Sequence, residues 1–373
     1  MTRNIDRRFI SLESATSRRN GAGFMPCQGI YHTPSGQRPK VAFIASHYNV
    51  DFSEHYLGPY MAQRGYGYLG WNTRFRGNEP HFIVEHALVD IGAGVTWLRE
   101  QAGVEQVIIV GNSGGGSLMG AYQSQATEPN ITATRGFELP DAVLDLPPCD
   151  YYISLNAHQG RPEVLTEWFD PSIIDESDPL STDHDLSMYN PQNGPPYSPE
   201  FVARYRQAQI DRNNKITQWC HDQLDVLESQ GYNDRAFNLY RTWADLRLLD
   251  GTIDPSDREV GVCYAGDPRT ANYSPRGIGL TNTCRTWLSM WSLQDSQCRG
   301  AAHLGRITTP ALVIQSLADT GVFPGDAKQI FDALASENKT LEFMAGDHYL
   351  QAPKGARDEV ADRISLWLQQ FGM

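Results

Sequence analysis

The sequence predicts an α/β fold: a mostly parallel central sheet with helices on both faces and an inserted, mainly helical segment. Three observations carry this. Short apolar, β-branched runs (Val41-Ala42-Phe43-Ile44-Ala45, Gln106-Val107-Ile108-Ile109-Val110, Ala311-Leu312-Val313-Ile314-Gln315) alternate with helical patterns, as in a parallel sheet covered on both sides. The alternation stops after about Gly160 and resumes near residue 300. A length of 373 residues suits one large α/β domain with an insertion, or two domains, better than one minimal core. The predicted division is a first core part over residues 1–160, a helical cap over 161–300 and a second core part over 301–373.

The elements follow in order. Residues 40–46 read as a buried strand, and 53–64 as a helix that Gly65 ends. Residues 66–71 form the next strand and run into a polar loop, Asn72 to Glu79. In 82–101, Val84, Ala87, Leu88, Ile91, Val95 and Leu98 recur on one helical face. The strand at 106–110 leads through glycines into a small-residue helix at 117–125, and 151–156 is a further strand. The stretch from 160 to 199 is rich in Pro, Asp, Ser and Asn, has no period, and reads as loops. Ser198-Pro199 is an N-cap with proline at the first helical position. It opens a long helix to about residue 228; a second is predicted at 234–250 and a third, short one at 286–292. No strong strand signal occurs from 162 to 300. Strands at 311–315 and 340–344 then alternate with helices at 326–335 and 359–371.

Bulk composition narrows the function classes. The chain is 40% hydrophobic and 20% charged, as in a soluble globular protein. A net charge of -13 argues against a general nucleic-acid binder, which needs surplus Lys and Arg against phosphate. The N-terminus is charged without a following apolar stretch, and no long apolar window exists, so neither a signal peptide nor a membrane span is expected. Cys27, Cys149, Cys220, Cys263, Cys284 and Cys298 are scattered with no C-x-x-C pair, so free buried thiols are expected. Together these predict a cytoplasmic protein with no nucleic-acid or membrane partner; a homodimer is left open, and a small-molecule substrate is expected from the cap that would cover the site.

Gly111-Asn112-Ser113-Gly114-Gly115 lies directly between a β-branched strand and a helix. G-x-S-x-G in that setting is a nucleophile elbow, a tight turn that lifts a serine hydroxyl above the sheet. Glycines on both sides keep side chains off the neighbouring strand and helix. The competing reading is an ordinary glycine-rich turn. A serine hydroxyl needs a base, and the base needs an orienting carboxylate. Asp319 follows one later strand and His348 the next. Asp326 and Asp347 are rival acids: Asp326 falls in a first helical turn, where acids favour the dipole, and Asp347 adjoins the histidine. Asp319 could instead cap the helix after Pro324, and His348 could be a surface histidine.

Ser113, Asp319 and His348 in this order resemble the α/β-hydrolase superfamily with a large cap. The resemblance covers roughly residues 25–160 and 300–373. It implies an α/β-hydrolase fold and a catalytic triad of Ser113, Asp319 and His348. The oxyanion hole would use the N–H of Gly114 and a donor from Ser46-His47-Tyr48-Asn49. Many members have His-Gly at that point and this chain does not, so the backbone of Tyr48 is the first choice and Asn49 the second. The ring or hydroxyl of Tyr48 meets the substrate or packs in the loop; the sequence does not decide.

His158, just past a strand end, is a candidate pocket residue, since ligands gather at such ends. Trp287, Met290 and Trp291 recur at helical spacing; Trp287 and Trp291 are candidate substrate contacts, with interior packing the favoured alternative. His47, His55, His81 and His86 cluster in sequence, yet their spacing fits no metal motif. No metal and no cofactor is expected. The chemistry expected is hydrolysis of a small or medium carboxylic ester or lactone through an acyl-enzyme. The alternatives are carbon–carbon bond hydrolysis of a diketone-like or ring-fission product, amide or thioester cleavage, and a catalytically silent binding protein of the same fold.

Overall fold

The computed structural model describes residues 4–14 and 26–373. Strands β1 (Ile5–Leu12), β2 (Cys27–Pro34), β3 (Val41–Ala45), β4 (Gly67–Asn72), β5 (Gln106–Ser113) and β6 (Tyr151–Ala157) precede the long helical stretch. Within that stretch, β7 (Ala236–Asn238) and β8 (Thr281–Thr283) pair only with each other. Strands β9 (Ala311–Ser316) and β10 (Lys339–Met344) complete the main sheet, in the order β1-β2-β4-β3-β5-β6-β9-β10. Pairing from β4 through β10 is parallel, and β1 and β2 add an antiparallel edge.

Alternation along β5 explains the layering. Val107 and Ile109 enter one core and Ile108 and Val110 the other, all fully buried. Burial of each such side chain contributes roughly 2 kcal/mol. The helices are α1 (Leu57–Gln63), α2 (Val84–Glu100), α3 (Gly115–Thr127), α4 (Arg161–Trp168), α5 (Pro199–Ser229), α6 (Pro268–Asn272), α7 (Cys284–Thr286), α8 (Gly300–Leu304), α9 (Pro324–Ala333) and α10 (Ala356–Gln369). Leu57 and Met61 of α1 and Val360, Ile364 and Trp367 of α10 cover one face. Leu88 and Ile91 of α2, Leu118 and Met119 of α3, Leu304 of α8 and Ile330 of α9 cover the other. That second core continues into Leu165, Phe169, Trp287 and Trp291, so the segment between β6 and β9 is packed onto the sheet domain.

The predicted core strands and the helices at 84–100, 199–229, 324–333 and 356–369 agree with the sequence reading. Ser198 accepts from Phe201 N as the N-cap of α5. All six cysteines are buried and unpaired. Four expectations need correction. Strands β1 and β2 were not predicted, because an edge rich in Arg, Gln and His lacks the apolar run of an interior strand. Residues 161–168 are helical, not loop. Residues 234–250 are not a helix: Leu239 N bonds Leu280 O, Asp170 N bonds Arg241 O, and Ala244 N bonds Trp168 O. Those backbone groups pair with distant segments, which overrides local helix propensity. Trp287–Trp291 is a π-turn, closed by Ser292 N to Trp287 O at 3.0 Å. Among the described residues no helix is long and apolar enough to cross a membrane.

Candidate active site

Ser113 ends β5 with a φ of 53°, a left-handed conformation unusual for serine. The turn is permitted by its glycines. A Cβ on Gly111 would stand 2.8 Å from Gly116 Cα, and one on Gly115 would stand 2.2 Å from Ser46 O. The strand and helix therefore cross too closely for any larger residue.

His348 follows β10 and Asp319 follows β9. The structure brings both to Ser113. His348 Nδ1 donates to Asp319 Oδ2 at 2.6 Å, and Nε2 lies 3.0 Å from Ser113 Oγ. With Nδ1 protonated toward the carboxylate, Nε2 is left as the acceptor for the serine proton. Asp319 is 1% exposed and also accepts from the N–H groups of Gly321 (2.9 Å) and Val322 (3.0 Å). The rival acids are used elsewhere. Asp326 accepts from Phe323 N at the start of α9 and pairs with Arg247 at 3.0 Å. Asp347 braces its own loop by accepting from Tyr349, Gln351 and Ala352 N–H groups.

Two supporting residues escaped the sequence reading. Asn156, at φ 42°, donates to Ser316 Oγ (2.9 Å) and His348 O (3.2 Å), tying the histidine loop to β9. Tyr264 comes from the irregular stretch between α5 and α6. Its hydroxyl donates to Asp319 Oδ1 at 2.9 Å and lies 2.8 Å from His348 Nδ1. Burial, then the Asp319 charge, raises its pKa well above the phenolic range, so it is a neutral donor. A Cβ on Gly321 would lie 2.1 Å from the Tyr264 ring, so only glycine admits it. No motif marks either residue.

On the other side of Ser113, Asn49 N–H is engaged by His47 Nδ1 at 3.3 Å. The N–H groups of Tyr48 and Gly114 have no acceptor among the described residues. The Tyr48 side chain is fully buried, with its hydroxyl 2.9 Å from Ser117 Oγ. Its hydroxyl is thus packed against α3. Arg161, the first residue of α4, lies over the Tyr48 and Trp291 rings at 4.6 and 4.9 Å. Burial pushes the His47 pKa well down, with Arg161 and His158 adding to it. Burial, then His348 and Arg161, pushes His158 down to about 3. Both imidazoles are therefore neutral.

The remaining candidates separate. His158 is buried edge-on to Trp168, and its N–H bonds Ser113 O at 3.0 Å, so it lies at the elbow. Trp291 adjoins the site beneath Arg161. Trp287 does not: its ring lies parallel to Phe169 and its Nε1 donates to Thr217 Oγ1 at 3.0 Å. Trp287 is fully buried, and its large apolar ring packs in the core that continues from the sheet. The clustered histidines part company, with His47 at the site, His55 on Asn112 and His86 edge-on to Phe137.

No protein-family model matches the sequence, and no curated protein matches it. Solved structures do match in fold. The α/β hydrolase GrgF from Penicillium sp. sh18 aligns with 98% of this chain and 98% of its own, at a TM-score of 0.55 and 12% identity. Est1E from Butyrivibrio proteoclasticus aligns with 98% of this chain and 99% of its own, at 0.51 and 10% identity. The chain has the fold of the α/β-hydrolase superfamily.

Proposed function

We propose that this chain is a serine hydrolase that cleaves small or medium carboxylic esters or lactones through an acyl-enzyme on Ser113. The observation that carries the reading is the continuous chain Ser113 Oγ, His348 Nε2, His348 Nδ1, Asp319 Oδ2, with links of 3.0 and 2.6 Å. The shared fold with an α/β hydrolase supports it.

In this mechanism Ser113 Oγ attacks the carbonyl carbon while His348 Nε2 takes the hydroxyl proton. Asp319 holds the imidazole in the productive tautomer and stabilises its cationic form. The free N–H groups of Gly114 and Tyr48 receive the oxyanion, a contribution of about 3 kcal/mol for one such donor. His348 then protonates the leaving alkoxide. Water, deprotonated by the same imidazole, releases the acid and regenerates the serine. The segment between β6 and β9 supplies Arg161, Tyr264 and Trp291 around Ser113, which favours a compact substrate over a polymer.

The test is labelling with a fluorophosphonate probe together with turnover of p-nitrophenyl esters. Ser113 is expected to carry the phosphonate, and Ser113→Ala to lose both labelling and turnover. A folded wild-type protein that neither labels nor turns over esters rejects the proposal and leaves a silent hydrolase-fold binder.

A further inference from the structure

Six arginines are buried among the described residues: Arg161, Arg212, Arg241, Arg247, Arg258 and Arg285. At the last five, every guanidinium nitrogen has a protein acceptor. Arg161 differs. It is 2% exposed, and the single hydrogen bond of its guanidinium runs from Nη2 to Glu79 Oε1 at 3.3 Å. Nε is buried with no partner, and Nη1 has none either. A guanidinium carries five N–H donors, and leaving them unmade in the interior is unfavourable unless something else accepts from them.

The position of these idle donors points to what that is. A Cβ on Gly114, the residue after Ser113, would lie 2.6 Å from Arg161 Nη1 and 2.6 Å from His47 Nε2. Glycine is therefore required for the guanidinium edge to reach the elbow. The rings of Tyr48 and Trp291 hold the group in place by cation–π contact. His47 and His158 are neutral and do not add competing cations. Burial raises the pKa of Glu79, the one carboxylate facing Arg161, and its contact is long for a charge-assisted bond.

We propose that Arg161 is an anion subsite beside the nucleophile, and that the substrate carries a carboxylate a short spacer away from the carbonyl that Ser113 attacks. The inference deepens the ester- or lactone-hydrolase reading and rests on it. A planar, permanently charged fork suits a carboxylate, which can accept two parallel N–H bonds from it.

The experiment compares mono-p-nitrophenyl glutarate with p-nitrophenyl valerate, acyl groups of equal chain length that differ in the terminal carboxylate. Wild-type kcat/KM is expected to be about 10- to 100-fold higher for the half-ester, and Arg161→Met to bring that ratio to one or below. Calorimetric binding of glutarate, which needs no turnover, is expected in the wild type and weakened at least about 10-fold in Arg161→Met. A wild type that labels with fluorophosphonate but shows no preference for the half-ester and no glutarate binding overturns the subsite and spares the hydrolase reading. A wild type that binds glutarate through Arg161 but does not label keeps the subsite and rejects the hydrolase reading. Should Arg161→Met fail to fold, the wild-type ratio and Arg161→Lys decide. Lysine keeps the charge but not the fork, so a ratio at least about 10-fold below wild type is expected; a wild-type ratio near one overturns the proposal.

Discussion

Tyr264 Oη donates to Asp319 Oδ1 at 2.9 Å, so a residue from the segment between β6 and β9 completes the shell of the carboxylate that orients His348. Asp319 otherwise accepts from two backbone N–H groups of its own loop. The tyrosine couples the inserted segment to the sheet domain at the one carboxylate whose geometry the imidazole depends on.

Tyr264→Phe keeps the ring against Trp168, Trp243 and His348 and removes only the hydroxyl. A hydrogen bond to a charged acceptor contributes about 1.5–3 kcal/mol. If that bond positions the imidazole, kcat for a p-nitrophenyl ester falls about 10-fold while KM moves little. A rise in KM with kcat unchanged would instead mark Tyr264 as a substrate contact, and steady-state kinetics separates the two.

Asp319 and Asp326 lie seven positions apart and have different work, so their amides have different phenotypes. Asp319→Asn removes the acceptor that selects the imidazole tautomer, and kcat is expected to fall about 10⁴-fold with stability largely kept. Asp326→Asn weakens a buried pair with Arg247, which still has Asp245 and Glu167. Its cost is about 2 kcal/mol of unfolding free energy, read by urea titration, with kcat within a few-fold. Reversal of the two phenotypes would reassign the acid.

How much of this was legible follows from what each residue's neighbours in sequence reveal. Ser113, at the end of one strand, and Asp319 and His348, each just after another, all follow apolar runs that announce those strands. Their order and setting suffice to group them. Tyr264 and Arg161 carry no such mark. Tyr264 lies in an irregular stretch whose backbone bonds go to distant segments, and Arg161 opens a helix whose neighbourhood reads as loop. Their roles exist only once the insertion has packed onto the sheet. Trp287 and Trp291 show the same limit: four residues apart on one turn, one faces Phe169 in the interior and the other faces Arg161.

Two glycines of α3 are not equivalent. A methyl at Gly115 would stand 2.2 Å from the backbone oxygen of Ser46, which β3 holds in place. Gly115→Ala is expected to destabilise the fold by on the order of 3 kcal/mol, and to reduce Ser113 labelling as the turn shifts. Gly120 lies inside α3, where a methyl would meet Tyr152 Oη at 3.6 Å and Leu304 Cδ2 at 3.7 Å, ordinary contacts. Gly120→Ala should raise stability by about 0.5–1 kcal/mol through helix propensity. Urea midpoints of the two variants, displaced to opposite sides of wild type, are the expected reading.

The fold should also lose stability in mild acid for a reason traceable to His55. This imidazole is buried, with Nδ1 accepting from Tyr68 Oη (2.6 Å) and Nε2 donating to Asn112 Oδ1 (3.0 Å). Burial pushes its pKa down to about 4, with Arg357 and His32 acting in the same direction and Asn112 against it. In the unfolded chain a histidine titrates near 6.5. Between about pH 6.5 and 4 the unfolded state therefore binds a proton that the folded state does not, and stability falls as pH falls. The slope is about 1.4 kcal/mol per pH unit for each such histidine. His158, pushed down to about 3, adds a contribution of the same sign. Unfolding free energies between pH 7 and 5 are expected to decline less steeply in His55→Gln, by up to about 1.4 kcal/mol per unit. The difference in slope is the readout, because a packing defect alone would shift the variant's stability equally at every pH. Parallel lines for the variant and the wild type would mean that His55 takes up its proton in the folded state as readily as in the unfolded one.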